Sequence, residues 1–158
     1  MHIRKTFAAL SLLSFVVINI SCNNAASDPK EATERLIGNE KWVINEIDAN
    51  DAPVFKDGKL IQQFSGPSFE RYMENVKFNK DGTFTGYFKG ETNPMTLKWK
   101  TNDKNITVFS ADPAAAKGGE WTIDPTDVFK DVFSMKTQST AYNYPQMTRV
   151  ELKFKKAE

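Results

Sequence analysis

The chain has 158 residues, with 21 basic and 20 acidic side chains. This length suits a single domain, and the balanced charge gives no indication of a nucleic acid or an acidic membrane surface as partner. The one cysteine excludes an intramolecular disulfide, so a folded domain must be stabilised by its hydrophobic core alone.

Residues 1–21 have the pattern of a secretory signal peptide. Residues 1–5 form a short, positively charged segment, residues 7–18 form an apolar run, and Cys22 comes four positions after the end of that run. This order is typical of a lipoprotein signal, in which the cysteine is acylated and becomes the first residue of the mature chain. An ordinary cleaved signal and a retained anchor are the alternatives, although the apolar run is shorter than the roughly 20 residues that cross a bilayer.

The mature chain is predicted to begin with a short polar tether, residues 22–27, followed by one domain over residues 28–158. A helix opens the domain: Asp28 can cap it, and Glu31 completes a capping box. Gly38 is placed to end this helix in the left-handed conformation.

After the helix the sequence consists of short extended runs separated by turn residues, which predicts an all-β domain. Eight strands are predicted, at residues 41–47, 74–78, 83–89, 95–100, 106–110, 120–123, 132–137 and 148–155. Apolar and polar residues alternate in the last of them, as expected for an antiparallel sheet with one solvated face. Residues 49–73 and 111–119 are predicted to be connections, with a helical turn near Pro67.

Short strands joined mostly by tight hairpins predict a small up-and-down β-barrel, because closure removes the exposed edges of the sheet. The helix, Gly38 and the entry of Trp42 into the first strand resemble the start of lipocalin-like domains. Over residues 36–156 the chain resembles the lipocalin-like lipoproteins of Bacteroidota. The resemblance implies that Trp42 is a structural plug at the closed end of the barrel, beneath a basic residue for which Arg149 is the candidate.

The residues that remain after processing carry little catalytic chemistry. The only histidine, His2, lies in the signal, so nucleophile pairs and metal sites that need an imidazole are excluded. Glu120 and the acids of residues 124–131 lie in turns and at strand ends, where capping and solvation are their ordinary roles. A calcium site over residues 124–131 is the alternative, but this segment lacks the glycine and glutamate of an EF-hand loop. We expect no enzyme activity, no metal site and no cofactor.

Aromatic residues at alternating strand positions are the candidates for ligand binding. They are Phe84, Phe88, Trp99, Trp121 and Phe133, with Tyr142 at the rim. An eight-stranded barrel is just wide enough to be filled by side chains or to hold one small ligand, so a packed core is the alternative.

The sequence therefore predicts an envelope protein that is held at a membrane by a lipid on Cys22 and binds a small apolar ligand. The alternative is a scaffold lipoprotein with a filled barrel that binds an envelope protein partner. In Bacteroidota lipoproteins, the signal for export to the cell surface resembles a cluster of acidic residues just after the cysteine. Because residues 23–27 contain no acid, we expect the protein to lie on the periplasmic face of a bacterial outer membrane.

Overall fold

The computed structural model describes residues 24–61, 72–112, 114, 119–143 and 146–158. Their elements are helix α1 (Pro29–Gly38) and strands β1 (Trp42–Ala49), β2 (Ala52–Lys56), β3 (Lys59–Leu60), β4 (Met73–Phe78), β5 (Thr83–Phe88), β6 (Met95–Thr101), β7 (Ile106–Phe109), β8 (Trp121–Ile123), β9 (Val132–Asn143) and β10 (Gln146–Lys156). A short 3-10 helix, Pro125–Asp127, precedes β9.

Eight of the strands close into an antiparallel barrel. They pair in the order β4-β5-β6-β7-β8-β9-β10, and β1 closes the circle by pairing with both β4 and β10. The predicted all-β, up-and-down barrel is therefore confirmed, and each of its strands overlaps a predicted one. Strands β9 and β10 are longer than predicted and form a ladder with each other over most of their length.

Strands β2 and β3 correct the expectation that residues 49–73 form only a connection. They make a hairpin that adds to the second half of β1. Strand β1 pairs with β4 only at Trp42 and Val43, and its register with β10 shifts at Asn45. Beyond this bulge, β1 pairs with β2 instead of β4. The sequence pattern of β1 does not indicate this change of partner. The helical turn expected near Pro67 lies outside the described residues.

Helix α1 begins as predicted but ends differently. The Asp28 side chain accepts a hydrogen bond of 2.8 Å from the backbone N–H of Glu31. Glu31 in turn accepts from the backbone N–H of Ser27, one residue before the position that a capping box would use. Gly38 does not adopt a left-handed conformation, because Asn39 is already extended and leads directly into β1.

The two ends of the barrel differ in what covers them. Helix α1, the β4–β5 and β6–β7 turns and the 3-10 helix lie at the end where β1 begins, and α1 packs against β4, β6 and the 3-10 helix. We call this the closed end. The β5–β6, β7–β8 and β9–β10 connections lie at the opposite end, which we call the mouth.

Candidate functional site

Six aromatic side chains fill the barrel at its closed end. Their rings meet mostly edge to face, with centroids 5.0 Å apart for Trp42 and Phe133 and 5.1 Å apart for Phe78 and Phe84. Phe133 also stacks on Phe154 at 4.9 Å. The full set, which we call the aromatic cluster, is Trp42, Phe78, Phe84, Trp99, Phe133 and Phe154.

Trp42 is fully buried in this cluster and is fixed by the helix rather than by a basic side chain. Its indole Nε1 donates a hydrogen bond of 3.1 Å to the backbone carbonyl oxygen of Leu36, in the last turn of α1. Helix carbonyls at this position have no partner within the helix, so the bond satisfies one of them.

The expected contact between Trp42 and Arg149 is wrong. On β10, Trp42 pairs with Lys156, whereas Arg149 lies near the mouth and forms an ion pair with Asp51 on the outer surface. Both ends of β10 carry basic residues, and the strand register decides which of them comes close to Trp42.

Three of the aromatic residues that sequence analysis offers for ligand binding, Phe84, Trp99 and Phe133, belong to the aromatic cluster. Trp99 also donates from its indole nitrogen to the carbonyl oxygens of Asn79 and Thr83, at 3.0 and 3.1 Å. These bonds tie the ring to the β4–β5 turn at the closed end.

On β1, β9 and β10, the inner wall near the mouth is built from much smaller side chains. Ala49 pairs across the sheet with Val150, and Val150 pairs with Thr137. The next pair toward the mouth is Thr148 with Ser139, and all five side chains are buried. We call the part of the interior that these residues line the open half.

The hydroxyl groups of the open half differ in their hydrogen bonding. Thr137 Oγ1 donates to the carbonyl oxygen of Glu120 at 2.8 Å, and Ser139 Oγ accepts from the backbone N–H of Ala141 at 3.0 Å. Thr148 is only 1% exposed, yet its Oγ1 has no hydrogen-bond partner among the residues that the structure describes. A buried polar atom without a partner is costly and is rare in folded proteins.

The remaining candidates are placed nearer the mouth. Trp121 begins β8 and is buried; Thr122 pairs with Lys136, so Trp121 comes beside Thr137. Phe88 ends β5 and is half-buried against the core. The side chain of Tyr142 lies outside the described part of the chain.

Gly86 is another small residue on the inner wall, and its lack of a side chain leaves space for a neighbouring residue. A Cβ atom at this position would lie 2.6 Å from the sulfur of Met73, so the Met73 side chain occupies the space that glycine leaves. Sequence analysis missed both residues, because neither an isolated glycine nor a methionine in a strand specifies which neighbour it will meet.

Strands β2 and β4 are not paired with each other in the described sheet, and a cavity of about 300 Å³ lies at this seam. Asn45, Phe55 and Tyr72 are among its lining residues, and the rings of Phe55 and Tyr72 come within 4.6 Å of each other. The seam is therefore bridged by aromatic packing rather than by a backbone ladder.

A second concave surface, of about 300 Å³, lies on the outer face of β8, β9, β10 and β1 and is lined by charged groups. Lys136 lies there, 2.7 Å from Asp127 and 3.8 Å from Glu151. Beside it, Lys153 contacts Glu46 at 2.6 Å and Asp48 at 2.7 Å.

These contacts hold the ionisable groups in their charged forms. The hydrogen bond to Asp127 raises the pKa of Lys136. Burial opposes the charge of Lys153, but the bonds to Asp48 and Glu46 outweigh it and raise its pKa. The bond from Lys153, followed by that from Lys56, lowers the pKa of Glu46. A general acid or base needs a pKa near neutrality, so we assign this network to the stability of the outer wall.

The described residues contain no group of three or more His, Cys, Asp and Glu side chains arranged to hold a metal ion. None of their helices has both the length and the apolar character needed to span a membrane. In the segment for which calcium is the alternative, Asp127 is engaged by Lys136.

No protein-family model matches the chain, and no curated protein sequence matches it. Solved structures similar to it include a complex of bovine odorant-binding protein with a selenium-containing odorant, at 16% identity over 80% of this chain and 73% of that one, with a TM-score of 0.45. The bovine lipocalin allergen Bos d 2 is similar at 11% identity over 79% of this chain and 75% of its own, with a TM-score of 0.45. The architecture given above rests on the strand pairing of this chain and not on these likenesses.

Proposed function

We propose that this chain is a lipid-anchored binding protein whose barrel takes one small, largely apolar ligand in the open half. The observation that carries this proposal is the change in side-chain size along β1, β9 and β10, from the aromatic cluster at the closed end to alanine, valine, serine and threonine below the mouth, where Trp121 of β8 lies beside Thr137. Small ligand sites in proteins are concave and mostly apolar, with a few polar groups that fix the ligand's orientation. The open half has this composition.

A filling substitution in the open half tests the proposal. We expect an apolar fluorescent probe, N-phenyl-1-naphthylamine, to bind the mature domain saturably. Val150→Phe adds a ring to the inner wall and should abolish this binding, whereas Arg149→Phe adds the same ring to the outer face of the same strand and should not. Thermal unfolding of both variants checks that they are folded.

Equal binding by wild type and Val150→Phe would contradict an interior site. A wild-type domain that binds no apolar probe would contradict ligand binding altogether. The packed barrel with a protein partner would then be the better hypothesis, and the search should move to envelope proteins.

The lipid anchor at Cys22 is part of the proposal, although this residue lies outside the described part of the chain. Its support is the signal-like sequence before Cys22 and the course of the chain after it. Ala26 is buried and donates from its backbone N–H to the carbonyl oxygen of Val128 at 2.8 Å. Arg35 donates to the carbonyl oxygen of Asn24 at 2.7 Å. Within the predicted tether, Asn24 and Ala26 thus contact the closed end of the barrel.

An anchor on Cys22 would hold the closed end close to the bilayer and point the mouth away from it. Asn24 is two positions after Cys22, and two residue steps span at most about 7 Å. The variant Cys22→Ser should leave a folded domain that no longer sediments with membranes. Continued sedimentation of this variant, with release only by detergent, would show that the anchor is elsewhere.

We propose the periplasmic side of the outer membrane, because no acid precedes Asp28 after the cysteine. Protease added to intact cells should leave the protein undigested, whereas permeabilised cells should lose it. Digestion in intact cells would place the protein on the outer surface.

A further inference from the structure

We infer that Thr148 is a hydrogen-bonding contact for the ligand, and that the ligand carries a neutral hydroxyl or carbonyl group on its apolar skeleton. This inference rests on the proposed binding of a ligand in the open half. It adds the chemical class of that ligand, which cannot be derived from the size of the side chains alone.

The hydroxyl of Thr148 differs from its neighbours in its hydrogen bonding. Its Oγ1 is buried and has no partner in the described part of the chain, while the hydroxyls of Thr137 and Ser139 on the neighbouring strand are both engaged by backbone groups. A hydroxyl buried without a partner costs free energy that a ligand with a matching polar group would recover. Thr148 is therefore the group of this wall that gains most from a polar ligand atom.

Thr148 also lies where the end group of a ligand in the open half would be. It pairs with Ser139, and two residues further along β10 Val150 pairs with both Thr137 and Ala49. Because side chains two residues apart point to the same face of a strand, Thr148 and Val150 both face the open half. A ligand that lies along Val150 and Ala49 would bring its end group to Thr148.

The five buried side chains that define the open half are uncharged. Asp48 is the one charged residue among the buried residues that the structure describes, and it faces the outer wall, where it pairs with Lys153. The polar groups of the open half are neutral hydroxyls, which can donate to a carbonyl oxygen or exchange hydrogen bonds with an alcohol. Burial of a carboxylate would need a paired cation, so the wall fits a neutral polar group better than a fatty acid.

A series of ten-carbon compounds that differ only in their end group tests this inference: decane, 1-decanol, decanal and decanoate. Each competes with N-phenyl-1-naphthylamine for the mature domain. We expect decanol and decanal to bind about fivefold to tenfold more tightly than decane, as one net hydrogen bond allows. We expect decanoate to bind no better than decane.

Three variants assign the preference to Thr148. Thr148→Val keeps the shape of the side chain and removes the hydroxyl, so it should bind decane as wild type does and lose the preference for decanol. Thr148→Ser keeps the hydroxyl and should retain the preference. Thr107→Val, a buried threonine on β7 that pairs with Thr122, is the matched control and should behave as wild type.

The melting temperature of Thr148→Val should not fall, because no hydrogen bond within the protein is lost. A fall of several degrees would overturn the inference, since the hydroxyl would then have a partner in the protein. Equal affinity of wild type for decane and decanol, tighter binding of decanoate, or a decanol preference that persists in Thr148→Val would also overturn it. If no compound displaces the probe, the interior site itself is contradicted. This result differs from those above, which would contradict only the role of Thr148.

Discussion

The closed end and the open half of the barrel are made by the same strands, yet they have different side-chain chemistry. On β9, Phe133 packs into the aromatic cluster, and Thr137 and Ser139 line the wall nearer the mouth. On β10, Phe154 stacks on Phe133, while Val150 and Thr148 face the open half. Alternation along a strand decides which side chains point inward, and the inward side chains of β9 and β10 become smaller toward the mouth.

Truncation at the closed end should have the largest effect. Trp42→Ala removes a fully buried ring, its contact with Phe133 and its bond to Leu36, and we expect a loss of about 3–5 kcal/mol in the free energy of unfolding. Urea unfolding of the mature domain measures it. A loss below about 1 kcal/mol would mean that the ring is not part of a packed core.

The companion change Arg149→Ala should cost little, because Arg149 is an exposed partner of Asp51 near the mouth. The two changes should be additive, since Trp42 pairs with Lys156 at the end of β10 and Arg149 lies toward the other end of that strand. Non-additivity in a double-mutant cycle would contradict the separation of the two ends.

Trp99→Phe should have an intermediate effect on stability. The change keeps most of the ring but removes the indole N–H that bonds to Asn79 and Thr83, so we expect a loss of about 1–2 kcal/mol. Ligand affinity should not change, since Trp99 belongs to the closed end. Weaker probe binding with unchanged stability would instead place Trp99 at the ligand, and would break the division between the two regions.

The smallest expected effect is at the surface of the closed end. Hydrogen bonds from the backbone and hydroxyl of Ser27, and then from Arg35, lower the pKa of Glu31 to about 2. A carboxyl whose pKa is lowered on folding contributes stability above its ordinary value of 4.5, and this contribution is lost as the pH falls toward 2.

Glu31→Gln should therefore lower the melting temperature slightly at pH 7, and the difference from wild type should shrink as the pH approaches 2. Glu34→Gln, on the exposed part of the same helix, is the matched control. A difference that does not vary with pH would mean that the charge of Glu31 does not stabilise the folded chain.

The strand positions could be predicted from the sequence because each has its own alternation and its own turn signal. Asp81 and Gly82, for example, lie in a predicted turn, and Gly82 has a positive φ of 81°. The hairpin of β2 and β3 could not be predicted in the same way. Its partner is the second half of β1, and that pairing depends on a bulge at Asn45 for which the sequence has no clear signal.

The height of a side chain within the barrel could not be predicted either. Trp99 and Trp121 both pair with Val108, so the pattern of their strands makes them equivalent. Because the strands of a barrel are tilted, residues in one cross-strand row lie at different heights. Trp99 therefore reaches the β4–β5 turn at the closed end, while Trp121 lies beside Thr137. Arg149 is separated from Trp42 by the strand register instead, because Trp42 pairs with Lys156.

The central claim is that the open half receives the ligand and that the closed end is packed. Contact quenching of tryptophan fluorescence tests this claim most directly. A ten-carbon alcohol brominated near the middle of its chain quenches an indole only on contact, and it would be titrated into wild type, Trp121→Phe and Trp99→Phe. We expect saturable quenching in wild type and in Trp99→Phe, and its loss in Trp121→Phe. Quenching that is unchanged in Trp121→Phe and lost in Trp99→Phe would contradict the account.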